Sequence, residues 1–165
     1  MGHRATGTAV TVLQMTLAPI EGRHLLSIVD EYITLLDGPR DEVDPALDRL
    51  APPAYLDDAE ASAEFRRSTR EDGFDQRLAD ALEVRTGLEH FEDERGEQAT
   101  LLEISTDVLD AWLRTLSGIR LVLASRLGID RSDAHDPEDV RFGTYDWLGY
   151  RLEVLVQLAD RHDAR

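Results

Sequence analysis

With 165 residues, 34 aspartates and glutamates, 18 basic side chains and a formal charge of −16, the chain is long enough for one self-sufficient core. It is too acidic for unaided binding to a polyanion, and anionic membrane surfaces are disfavoured for the same reason. Every basic residue is arginine, and lysine, asparagine and cysteine are absent, which excludes disulfides, thiolate catalysis, cysteine-ligated zinc and a phosphate-loop lysine within these residues.

The acids concentrate in the middle: residues 36–100 carry 19 of them against 8 arginines, a net of −11. Residues 1–19 interleave threonine with apolar residues and never make the unbroken apolar segment of a signal peptide, so a cytoplasmic location is expected. No run reaches the length a membrane span needs.

In chain order, Thr8 to Leu17 alternates polar and apolar residues, which predicts an edge strand. Pro19 suits the first turn of a helix, Glu21 sits favourably near its positive end, and Leu25, Ile28, Val29, Tyr32, Ile33 and Leu36 recur at helical spacing until Gly38-Pro39 stops them. Residues 37–56 hold four of the six prolines and many acids, predicting an irregular connection with one short helical turn at Pro45 to Leu50. Asp57 or Asp58 caps a predicted helix running through Arg70, a second helix is expected from Phe74 to Phe91, and both are read as peripheral. After Gly96, Gln98 to Ile104 reads as a strand pairing antiparallel with the first.

Ser105 then caps a helix whose stripe of Leu109, Trp112, Leu113, Leu116, Ile119, Leu123 and Leu127 ends at Gly128. Asp136-Pro137 starts the last predicted helix, with Tyr145, Leu148, Leu152, Leu155 and Val156 on one face and Trp147, Val154 and Leu158 on another. A helix apolar on two sides is central to the fold or shared with a second subunit. These elements predict a mainly α, single-domain bundle of about five helices with a two-stranded antiparallel β ribbon over residues 1–165.

Motifs that carry chemistry are scarce. Glu21-Gly-Arg-His24 has the Glu-x-x-His spacing of di-iron bundles, but those sites need two such motifs and two more glutamates, so helix-surface residues are the better reading. His135 among Asp133, Asp136, Glu138 and Asp139 lacks the ordered spacing and turn glycine of a calcium loop, and capping accounts for the acids. No serine sits in a Gly-x-Ser-x-Gly elbow, and neither a GxxxxGK nor a GxGxxG loop occurs. No catalytic residue, metal site or cofactor is therefore assigned.

Arg120 lies near the apolar stripe of one terminal helix and Asp146 and Glu153 on the next, which predicts a structural ion pair fixing their packing. Trp112, Tyr145, Trp147 and Leu148 are read as core or interface anchors, with a homodimeric seam on the last three. Tyr32, Tyr55, Arg66, Arg67, Arg120 and Asp146 are alternative candidates for a polar interhelical cleft that binds a ligand or catalyses a reaction. The EFRRSTR segment offers Arg66, Arg67 and Arg70 to DNA, but Glu64, Glu71 and Asp72 make it read as a solvated, internally paired helix face.

Three segments are more specific: RLAPPAYLDDAEASAEFRRST at Arg49 to Thr69, AWLRTLSGIRLVLASRLGI at Ala111 to Ile129, and YDWLGYRLEVLV at Tyr145 to Val156. In this order they resemble the actinobacterial AosR-like oxidative-stress regulators, a family long filed as a domain of unknown function. The resemblance covers most of the chain, with residues 37–48 and 85–98 the variable part. It implies a cytoplasmic, non-enzymatic regulator connected with transcription, whose gene often neighbours that of the ClpS protease adaptor. Redox sensing through cysteines, attributed to that family, cannot operate in a cysteine-free chain. With direct nucleic-acid contact disfavoured by charge, the consistent expectation is a homodimer acting through a protein partner such as RNA polymerase or a sigma factor.

Overall fold

The computed structural model describes residues 11–40, 42–51, 61–93, 95–132 and 134–164. Strands β1 (Val12–Leu17) and β2 (Thr100–Ser105) pair antiparallel, with Val12 opposite Ser105 and Leu17 opposite Thr100. Strict alternation puts Leu13, Met15, Leu17, Leu102 and Ile104 on the buried face. On the other face Gln14 donates to Glu103 across the ribbon at 3.0 Å.

Among the described residues there are five α-helices, of which the first, third and fifth in chain order pack on this ribbon. Helix α1 (Pro19–Asp37) opens on Pro19 and buries Leu25, Leu26, Val29, Tyr32 and Leu36. Its Gly22 permits a close approach, because a Cβ there would stand 2.1 Å from the buried Phe91 ring. Helix α2 (Pro45–Leu50) is capped by Asp44, whose carboxylate accepts the Ala46 N–H at 2.8 Å and two bonds from Arg126 at 2.9 and 2.7 Å. One acid thus caps α2 and ties it to the end of α4 (Leu109–Leu127).

Helix α3 is one continuous rod, Ala61–Leu88, followed by the 3-10 turn Glu89–Phe91. The sequence pattern predicts two peripheral helices here; they are one helix, and its second half is not peripheral, while residues 63–72 stay exposed or half-exposed. Gly73 stays helical, and Phe74, Ala81, Val84 and Leu88 are fully buried against the rest of the fold. Tertiary packing of the second half supplies what the weakly patterned sequence lacks.

Helix α4 is the hub, packing against α2, α3 and α5 and touching α1. It buries Trp112, Leu116 and Ile119 and ends on Gly128, whose φ of 74° is the left-handed conformation glycine adopts freely. The Ile129 N–H returns to the Ala124 carbonyl at 2.8 Å and closes the cap. Helix α5 (Gly143–Asp163) starts later than Asp136-Pro137 suggests. Asp136 instead accepts the Glu138 N–H in a turn, and Asp139 caps a 3-10 segment, Val140–Phe142, ahead of the helix. The helix buries Tyr145, Leu148 and Leu155, while Trp147, Leu152, Val154 and Leu158 are half-buried against the same core.

Candidate functional site

A groove of about 940 Å³ lies between α3 and α4, with the C-terminal end of α2 at one end. Helical geometry sorts its lining. On α3, Arg66, Arg70, Gly73, Arg77 and Asp80 recur every three to four residues and share one face. Glu64, Glu71, Asp72 and Asp75 fall on the opposite, exposed side and do not line the groove. Arg67 stands at the rim, and α4 contributes Leu113, Arg114, Ser117, Gly118 and Leu121. Five arginines and one aspartate therefore meet in a chain whose net charge is −16.

The cations are positioned by the fold. Arg70 donates to the Ala51 carbonyl at 2.9 Å and to Asp48 at 3.0 Å, with its guanidinium 5.2 Å from the Phe74 ring centre. Arg77 donates to the Leu50 carbonyl at 2.9 Å, so both side chains use the end of α2 as an anchor. Arg114 grips Asp80 in a two-point bond of 2.7 and 3.1 Å, and Gln76 adds a third donor at 3.1 Å. Asp80 is only 5% exposed. Burial alone would raise its pKa, but the bonds from Arg114 and Gln76 and the charges of Arg114 and Arg77 outweigh it and hold the carboxyl below its ordinary value.

Beneath the groove, Gly118 has no side chain because there is no room for one. A Cβ there would lie 2.2 Å from the Tyr32 hydroxyl and 3.4 Å from an Arg77 guanidinium nitrogen. The Tyr32 hydroxyl is buried, faces Arg77 and makes no hydrogen bond of good geometry. Burial raises its pKa, with Arg77 opposing. Two walls of the groove carry exposed apolar side chains, Phe65 at 66% and Leu121 at 40%.

The residues singled out from sequence are distributed differently. Trp112, Tyr145 and Leu148 are buried in the chain's own core, so a seam built on their side chains is not available at the surface. Trp147 is half-buried and donates its indole N–H to Glu21 at 3.0 Å. Glu21 also accepts the Ala18 N–H at 2.8 Å and a charged bond from Arg151. The donors around it hold its carboxyl below the ordinary range against the opposing effect of burial, which commits it to fixing α5 on α1. Among the described residues no group of three or more histidines and acids is placed to hold a metal.

The Arg120 pairing is corrected as well. Asp146 bonds His135 at 2.9 Å and Glu153 accepts from Gln157 at 2.9 Å, while the Arg120 guanidinium lies 4.1 Å from the Tyr145 ring centre. Helical phase explains the difference: Asp146 and Glu153 are exposed, whereas Tyr145 turns inward to face α4.

Of the predicted cleft residues, Arg66 and Arg67 line the groove and Tyr32 lies under its floor; Arg120 and Asp146 are elsewhere, and Tyr55 is outside the described residues. Sequence reasoning missed Arg77, Arg114, Asp80, Gly118 and Leu121. Part of the signal was present, since Arg66, Arg70 and Arg77 are spaced by four and seven residues on one helix face.

The architecture is mainly helical with a small antiparallel ribbon, and a groove lined by five arginines lies between two of the helices. Among the described residues no helix is long and apolar enough to cross a membrane. The chain belongs to the family described as Domain of unknown function (DUF2017), whose model matches residues 1–159. No curated protein and no solved structure matches it.

Proposed function

We propose that this chain is a non-enzymatic regulatory protein that acts by protein–protein contact, with the α3–α4 groove as its docking surface. The observation that carries the reading is the groove itself: an apolar bed edged by five arginines on an otherwise acidic molecule. Interfaces draw specificity from such local charge contrast, and arginine serves them well because its planar guanidinium binds carboxylates at two points. The AosR-like resemblance supports a cytoplasmic regulator of transcription under oxidative stress, reached through RNA polymerase or a sigma factor and without a cysteine switch; a homodimer remains part of the proposal.

The test is in-cell cross-linking and affinity recovery with the wild-type chain and Arg67→Glu. Recovery of a transcription component by the wild type and its loss in the variant is the expected result. No specific protein recovered, together with a strict monomer by light scattering, overturns the reading.

A ligand-binding domain is the second reading. It is favoured by the Tyr32 hydroxyl and Arg77 meeting at Gly118 under a groove whose volume lies within the range of small-molecule sites, about 300–1,000 Å³. A rise in melting temperature with dodecanoate, absent in Arg67→Glu, would favour it.

A further inference from the structure

Resting on the docking role proposed above, we infer that the α3–α4 groove receives an acidic amphipathic helix of a partner protein. Its apolar stripe would lie between Phe65 and Leu121 and its carboxylates would face the arginines.

Length is the first argument. The α3 wall runs from Ala63 to Asp80, about 25 Å at a rise of about 1.5 Å per residue. That matches four to five turns of a helix, roughly 16 residues, laid along α3. Charge spacing is the second. Arg66 and Arg70 stand one turn apart on one wall, Arg77 two turns further along it, and Arg114 on the other wall. A row of carboxylates at helical spacing meets several of these cations at once, whereas an amphiphile with a single anionic head meets one or two.

The apolar contacts are the third argument. Phe65 and Leu121, on opposite walls, are exposed at 66% and 40%, and covering them with leucines adds roughly 25 cal/mol per Å² removed from water. Global charge then acts as a filter. A chain of −16 repels an acidic partner over most of its surface, so favourable contact is confined to the groove and the orientation is fixed by it.

A fluorescein-labelled peptide of roughly 18 residues, with leucine at positions i, i+3, i+4 and i+7 of successive turns and glutamate on both flanks, tests this by anisotropy with the full chain. A second probe carries lysine in place of every glutamate. The acidic probe is expected to bind at least about tenfold more tightly than the basic one. Arg67→Glu and Leu121→Asp, both at exposed positions, are each expected to weaken it by about tenfold while thermal unfolding stays that of the wild type. Equal binding of the two probes, or unchanged affinity in both variants, overturns the inference. So does saturable binding of dodecanoate in the groove with no binding of the acidic peptide.

The two levels of the proposal fail separately. Partner recovery from cells that both variants leave intact, with the acidic probe unbound, removes the groove assignment and keeps the regulator. Probe binding that both variants weaken, with no partner recovered, keeps the groove chemistry and removes the regulator.

Discussion

Two half-sealed carboxylates invite comparison, Glu21 at the seam of α1 and α5 and Asp80 beside the groove. Each accepts from an arginine and from neutral donors, and each is held below its ordinary pKa by those donors against the effect of burial. Around Glu21 the account closes: Ala18 N–H, the Trp147 indole and Arg151 converge on one acid with one cation. Around Asp80 the setting differs: Arg114 and Gln76 bond it, Arg70 bonds Asp48 on the next element, and Arg66, Arg67 and Arg77 line the same groove. A clamp with matched charge needs nothing from outside. A groove lined by several guanidiniums offers donors to an external carboxylate, and that separates the region built for stability from the region proposed for recognition.

Glu21→Ala gives the largest expected change, because it strands three donors at a partly buried seam. A loss of about 2–3 kcal/mol in urea unfolding is expected, and a loss under 0.5 kcal/mol would break the contrast at its structural end. Asp80→Ala comes next at about 1–2 kcal/mol, a discounted figure because the Arg114 side chain is half exposed and can turn to water.

Acid should act through the same groups. Glu21, Asp80 and Asp44 have depressed pKa values in the folded chain, so their stabilisation is present above the ordinary carboxylate range. It is lost as pH falls below about 4.5 through the lower folded values. Asp139 is brought to about 2 by its bonds with Arg141. The urea midpoint should fall between pH 5 and pH 3, by less in Glu21→Gln, whose replacement cannot titrate.

Smaller still is Tyr32→Phe. Its hydroxyl lacks a bond of good geometry, so the change is expected within about 0.5 kcal/mol of neutral, whereas a loss above about 1 kcal/mol would show that Arg77 holds the hydroxyl firmly. Arg67→Glu should leave unfolding unaltered within about 0.5 kcal/mol, and a larger stability effect would move Arg67 from the recognition side of the comparison to the structural side.

The fold was largely legible because its signals are local. Pro19, Gly38 and Gly128 start or stop elements where the sequence suggests, Ser105 caps a 3-10 turn, Thr106–Val108, ahead of α4 and not α4 itself, and the alternation of β1 and β2 fixes their inward faces. Helix α3 misled because its first half faces a groove and its second half a core, so no one apolar stripe runs its length. Asp136-Pro137 carries a helix-start signature but closes a turn instead.

The candidate site was legible only in fragments. Read along the chain, Arg66, Arg67 and Arg70 sit among Glu64, Glu71 and Asp72 and look internally neutralised; only winding the helix separates the two signs. The other wall hides inside the apolar pattern of α4, where Leu113 and Leu121 are indistinguishable in type from the core leucines beside them. Gly118 gives no hint of the tyrosine behind it until tertiary contacts are known.

One feature of the groove reaches past binding. Its cations are all guanidiniums, as are all 18 in the sequence, and a guanidinium keeps its proton at any physiological pH. Acetyl transfer to a lysine, or an isopeptide tag for degradation, finds no side-chain amine among these 165 residues. The chemistries that commonly silence basic patches therefore have no handle on this one. Tuning its strength would fall to ionic strength, to competition by other acidic segments, or to arginine-directed methylation, which preserves the charge but blocks the two-point grip.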